Sequence, residues 1–187
     1  RLYLLIAAPA VAGLAAVSLP ISRFLFAEGY DAGAPVIAYT ALAMLFMGLT
    51  EYANKAYELE QSTIHVLQNS AIAAVIKVAC SVVLLQTVGF TGGAMGSVVA
   101  FASYFIITCA RVRRRFLFRV APASLARILI SALLCGAAAY GCTLLPVGNL
   151  LRLAVAVAAG AAVYAVCIIA SGEGRDEVQA VLRRLKR

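Results

Sequence analysis

The chain has 187 residues, of which 64% are hydrophobic and 13% charged, and its formal net charge is +8. A soluble domain is nearer half apolar and about a quarter charged, so this composition excludes a soluble core and the nucleic-acid reading that a basic chain otherwise invites. The apolar residues form continuous runs of Ala, Leu, Val and Ile without the period-two alternation of a membrane barrel. Membrane-spanning helices, which satisfy their own backbone, are what remains.

Apolar runs and their breakers predict six spans, each near the ~20 residues that a bilayer crossing needs. The first is Leu2 to Ile21, with Pro9 inside it and Pro20 at its end. No charged leader precedes it and no small-residue cleavage pattern follows, so it does not read as a signal peptide. A start at Arg1 rather than Met leads us to expect a fragment whose earlier spans are missing. A link at 22–34 carries Arg23, Glu28, Gly29, Asp31 and Gly33. The second span is Pro35 to Lys55, opened by a proline suited to a first helical turn. The third is Thr63 to Leu85, and a turn at Gly89 to Gly93 leads into the fourth, Gly92 to Ala110. After the basic segment at 111–121 come the fifth, Pro122 to Leu145, and the sixth, Asn149 to Ala170. The six-span bundle thus occupies 1–172. The remainder, 173–187, interleaves Val178, Val181, Leu182 and Leu185 with Arg183, Arg184, Lys186 and Arg187. It is expected to be an amphipathic basic helix on the membrane surface.

Lys and Arg set the orientation. With six spans both ends share a side with the two-three and four-five loops. Thirteen of the 16 Lys and Arg fall there, against Arg23 and Arg152 opposite and Lys77 within a span. The positive-inside rule makes that side, and both ends, cytoplasmic.

Few residues carry chemistry. Lys77 stands in the apolar run from Ala71 to Leu85. An ammonium there costs about 2.5–3.5 kcal/mol on insertion scales and lies about 12 Å from Leu85 at ~1.5 Å per residue, roughly twice what a lysine stem covers. It is expected to face a polar cavity as a cation for an anionic substrate, or to be a paired structural lysine. Glu51 and Lys55 are spaced as an i, i+4 surface pair, or form the lip of a cavity with Tyr52, Asn54 and Asn69. Arg111, Arg113, Arg114, Arg115 and Arg119 read as a topology anchor on anionic lipid headgroups, with direct substrate contact the minor reading. Gly92, Gly96 and Ala100 form a small-residue stripe for close helix packing. The five cysteines form no CxxC and there is one His, so neither a metal site nor a cofactor is expected.

Three stretches, in this order, resemble the C-terminal half of polysaccharide flippases, the O-antigen and capsule exporters of the multidrug/oligosaccharidyl-lipid/polysaccharide exporter superfamily. They are Phe24-Leu25-Phe26-Ala27-Glu28-Gly29-Tyr30 after a span, Lys55-Ala56-Tyr57-Glu58-Leu59-Glu60-Gln61-Ser62-Thr63 between spans, and Val88-Gly89-Phe90-Thr91-Gly92-Gly93-Ala94 at a turn. The likeness runs from about Leu2 to Ala110. It departs at Gln86, where the family often has proline, and at Lys77, where asparagine is common. The resemblance implies an all-α, six-span, MATE-like C-terminal lobe in a bacterial cytoplasmic membrane, partnered by an N-terminal lobe of the same chain. It implies a transporter, not an enzyme, that flips undecaprenyl-pyrophosphate-linked oligosaccharide by alternating access for polysaccharide biosynthesis. A cation-coupled multidrug exporter of the same superfamily is the alternative, and it would carry mid-span acids that these spans lack. A membrane-embedded glycan transferase or ligase ranks below both, because the outer loops are short.

Overall fold

The computed structural model of the protein describes residues 2–25, 31–112, 122–144 and 149–171. Over these residues the fold is all-α. The helices are α1 (Leu2–Ala16), α2 (Ser18–Leu25), α3 (Ala34–Leu59), α4 (Thr63–Val88), α5 (Gly92–Val112), α6 (Pro122–Thr143) and α7 (Asn149–Ser171), with a 3-10 turn at Asp31–Gly33 before α3. Five of them, α3 to α7, are each long and apolar enough to cross a membrane, and α1 with α2 makes a sixth candidate. The expected amphipathic tail at 173–187, Arg113, Arg114, Arg115 and Arg119, and Glu28 and Gly29 of the first link lie outside the described residues.

The predicted first span needs correction. It is not one rod but two helices that meet at a 62° bend around Val17. Pro20 is the physical reason. It has no N–H to give the Ala16 carbonyl, and its ring crowds that same carbonyl, so the helix breaks one turn before it. Ser18 Oγ donates back to the Ala15 carbonyl at 2.8 Å, a bond that also favours bending.

The turns explain where the long helices stop. Pro35 opens α3 in its first turn. At its other end the Ser62 N–H reaches the Tyr57 carbonyl and the Gln61 N–H the Glu58 carbonyl, both at 3.0 Å. With Gln61 at φ 55° this is a Schellman cap carrying glutamine where glycine is usual. Gly89, at φ 81°, ends α4 and turns the chain through two residues into α5. Turns this short make α4 antiparallel to both α3 and α5.

The helices sort into two compact units: Ile21–Arg119, and Arg1–Pro20 with Val120–Arg187. Within the first, α5 is the central helix and packs along both α3 and α4, which touch each other little. Six of its buried residues, Gly92, Gly96, Ala100, Tyr104, Thr108 and Val112, recur every fourth position, one stripe down the helix. Small residues occupy one end of that stripe and polar ones the other. In the second unit α6 is central, between α1 and α7. Ile128 and Ala132 of α6 close a core with Ala8 of α1, while Gly160 of α7 lies against Cys135 and Ala139.

Candidate functional site

The seam between α4 and α5 holds Lys77, Asn69, Arg111, Gly92 and Gly96 of the residues that the sequence singles out. It is an antiparallel register that can be followed step by step. At one end a side chain on Gly92 would collide with the Leu84 carbonyl, and a Cβ on Gly96 would lie 2.9 Å from Ser81 Cα. The two backbones are in contact there, an approach that only glycine permits.

Lys77 follows, one step along. It is the fifteenth residue of a 26-residue helix that runs past Leu85 to Val88, so it sits nearer the middle than the hydropathy run implied. Its side chain is exposed, and its Nζ lies 5.4 Å from the Phe101 ring centroid on α5. The ring face is a partner of the right polarity for an ammonium in an apolar setting. That contact leaves the hydrogen-bonding capacity of the ammonium unused, since a π face accepts charge without taking up all three N–H donors.

The far end of the seam is polar. Asn69 is 0% exposed. Its Oδ1 accepts from Arg111 Nη1 at 2.6 Å and its Nδ2 donates to Thr108 Oγ1 at 3.4 Å. Both faces of the amide are therefore turned onto α5, and Asn69 fastens two helices. Arg111 itself is exposed in the last turn of α5.

The α3–α5 seam carries a second polar tie. Asn54, 2% exposed, donates from Nδ2 to Tyr104 Oη at 3.1 Å, while its Oδ1 is buried without a partner. Thr50, one turn before it and fully buried, returns its hydroxyl to the Phe46 carbonyl at 2.8 Å. The Phe46 and Phe105 rings meet at 6.5 Å. At the α3–α4 turn Tyr57 packs on His65, ring centroids 5.5 Å apart, and Ala56 and Tyr57 join Val112 in a small core.

The structure therefore divides the predicted cavity set. Lys77, Glu51, Tyr52 and Lys55 are exposed; Asn54 and Asn69 are enclosed between helices. The i, i+4 pairing of Glu51 with Lys55 is replaced by an i, i+3 pair, with Lys55 Nζ 2.7 Å from Glu58 Oε2. Helical side chains lean toward the N-terminus, which brings Glu58 back onto Lys55. Tyr104 and Thr108, which partner the two asparagines, were not singled out in the sequence. The signal was present, since both continue the fourfold spacing of Gly92, Gly96 and Ala100. Among the described residues no cluster of His, Cys, Asp and Glu is suited to a metal ion.

No family model matches the chain, and no curated protein matches its sequence. A solved structure does match its fold. "Lipid II flippase MurJ, inward closed conformation" superposes with a TM-score of 0.78 at 18% sequence identity, over 94% of this chain and 37% of that one. The chain thus has the fold of part of that flippase, and it is a multi-pass membrane protein. It spans just over a third of the length of that flippase.

Proposed function

We propose that this chain is the C-terminal portion of a transporter that flips a lipid-linked oligosaccharide across a bacterial cytoplasmic membrane by alternating access, for polysaccharide biosynthesis. The observation that carries the reading is the superposition of nearly all of the chain on a lipid II flippase. The physical problem of such a substrate is a polar, anionic headgroup that must cross about 30 Å of hydrocarbon. A cation inside the slab lowers that barrier, and a site that opens alternately to each side prevents a leak.

Lys77 is the residue we assign to the headgroup. It is mid-helix, exposed and held over an aromatic face. A phosphate offers the ammonium full hydrogen bonds and a full charge where Phe101 offers only its quadrupole, so a phosphate would draw it off the ring. We place both ends of the chain on the cytoplasmic side, from the bias in Lys and Arg.

The test is export of surface glycan in a strain that lacks its own flippase. Lys77→Met keeps length and apolar volume and removes charge. It should fold and reach normal levels while export falls at least tenfold; Lys77→Arg should keep part of the activity. Normal export by Lys77→Met at normal expression would remove Lys77 from the site.

A further inference from the structure

Arg111 differs from a loose surface cation in one respect: it is tied down. Its Nη1 donates to the Oδ1 of an asparagine with no exposed surface, and that asparagine is oriented in turn by Thr108. A general attraction to an anionic surface needs none of this. Fixing an arginine costs rotamer entropy, and burying an asparagine in an apolar helix costs free energy at each end of its amide that lacks a partner. A charge that serves only to set topology works as well from a free side chain.

The depth is also specific. The 26 residues of α4 span about 39 Å at ~1.5 Å per residue, some 9 Å more than the hydrocarbon core. Asn69 lies about 9 Å along α4 from Thr63, just inside the apolar boundary if the helix is centred. Arg111, one residue from the end of α5, sits at that boundary. This is the level at which an amphiphile carries its phosphate. One of the five guanidinium N–H donors is committed to Asn69, and the exposed remainder keeps the planar fork that matches two phosphate oxygens.

We propose that Arg111, held by Asn69, is a seat for a single phosphate group of a lipid at the α3–α4-turn end of this unit. The ligand chemistry is a phosphodiester or diphosphate attached to hydrocarbon, recognised by guanidinium geometry and not by net charge. Two sources present this chemistry: a bilayer phospholipid and a polyprenyl diphosphate. The seat does not depend on the flippase reading, because either source supplies the group.

The experiment measures lipid binding to the intact detergent-solubilised protein by native mass spectrometry. Phosphatidylglycerol is titrated in one arm and undecaprenyl pyrophosphate in the other. Arg111→Lys keeps the charge, removes the fork and leaves Asn69 free to accept from lysine; it should weaken binding about tenfold in at least one arm. Asn69→Leu keeps Arg111 and removes its tether, and should weaken the same arm several-fold. Arg111→Gln should weaken it at least as much as Arg111→Lys. A thermal melt of each variant separates loss of the seat from loss of the fold, and Arg111→Lys, altered only at an exposed position, is the variant that must fold. Loss confined to the phosphatidylglycerol arm identifies a structural lipid, and loss confined to the other arm a substrate contact. Wild-type affinity of Arg111→Lys in both arms would overturn the proposal and leave Arg111 as a charge-only anchor.

Discussion

The two units solve one packing problem in different ways. Each wraps two helices around a central one in an environment where lipid tails are as apolar as the helices, so burial of apolar surface cannot drive association between helices. The α3–α5 unit relies on backbone contact at one end, at Gly92 and Gly96, and on buried amides at the other, at Asn54 and Asn69. The α1–α6–α7 unit packs less tightly. A Cβ on Gly136 would meet Ala12 at 3.2 Å, and one on Gly160 would meet Cys135 Sγ at 3.3 Å, contacts that a small shift of the neighbour relieves. One polar tie across it is a hydroxyl: Tyr164 Oη of α7 donates to the Leu5 carbonyl of α1 at 2.5 Å. Pro9 explains why that carbonyl is available, because the residue that would normally donate to it has no N–H. One unit is fixed by geometry that cannot give, the other by contacts that can.

The largest expected effect follows from the glycines. Gly92→Ala and Gly96→Ala must push α4 and α5 apart and should cost about 1–3 kcal/mol each, as overpacking does in other cores. Gly136→Ala and Gly160→Ala should cost less than 1 kcal/mol, within what a shift of a few tenths of an ångström absorbs. Gly93→Ala and Gly141→Ala meet open space and should leave stability unchanged or slightly raised. Unfolding in mixed detergent micelles, read by helicity, measures all six. The comparison breaks if Gly136→Ala proves as damaging as Gly96→Ala.

Second in size are the ties. Tyr104→Phe strips the Asn54 side chain of its hydrogen bond to the tyrosine and should cost about 1 kcal/mol, most of it recovered by adding Asn54→Leu, which removes the stranded amide. Tyr164→Phe should cost a similar amount, about 1 kcal/mol, but only while Pro9 is present. Pro9→Ala gives Leu5 a donor within its own helix, so the same tyrosine change should then be nearly neutral. A double-mutant cycle over Pro9 and Tyr164 reads this directly, and a coupling energy near zero would show that the hydroxyl is not substituting for the proline's missing N–H.

Much of this was legible in the sequence, and what was not has a physical reason. The five long helices follow from apolar runs and from Pro35, Gly89 and Pro122, because span length and breakers are local properties. The small-residue stripe on α5 was equally local. The bond from Arg111 to Asn69 joins residues 42 apart, and that from Tyr164 to Leu5 joins residues 159 apart. No periodicity announces either. Asn54 and Asn69 were grouped with Lys77 because a polar residue in an apolar span points to a cavity; two helices that need a fastener use the same residue type in the same place. Which of these holds depends on what stands opposite, and the helix register decides that. The bend at Val17 was hidden for another reason: hydropathy is blind to a lost backbone donor, and Pro20 reads as an end when it acts one turn earlier.

The smallest effect belongs to the tie that water reaches. Arg23 holds Asp31 through two bonds, Nε to Oδ1 at 2.9 Å and Nη2 to Oδ2 at 2.8 Å, with both side chains about half exposed. The paired geometry is the strong form of this interaction, yet exposure and salt leave such pairs worth little in stability. The hydrogen bond from Arg23 holds the Asp31 carboxyl below its ordinary value of 3.8. Because the folded value is the lower one, the pair contributes fully above the ordinary carboxylate range and is lost as pH falls through the folded value. At neutral pH no pH dependence of stability should come from it. A carbon-13 titration of the labelled carboxyl should therefore find a midpoint below 3.8 in the wild type, and Arg23→Gln should bring it back up to the ordinary range. Raised salt should narrow the difference, as it would not for the enclosed amides of Asn54 and Asn69, which carry no charge. A midpoint that ignores Arg23→Gln would mean the bidentate pair does not persist in solution.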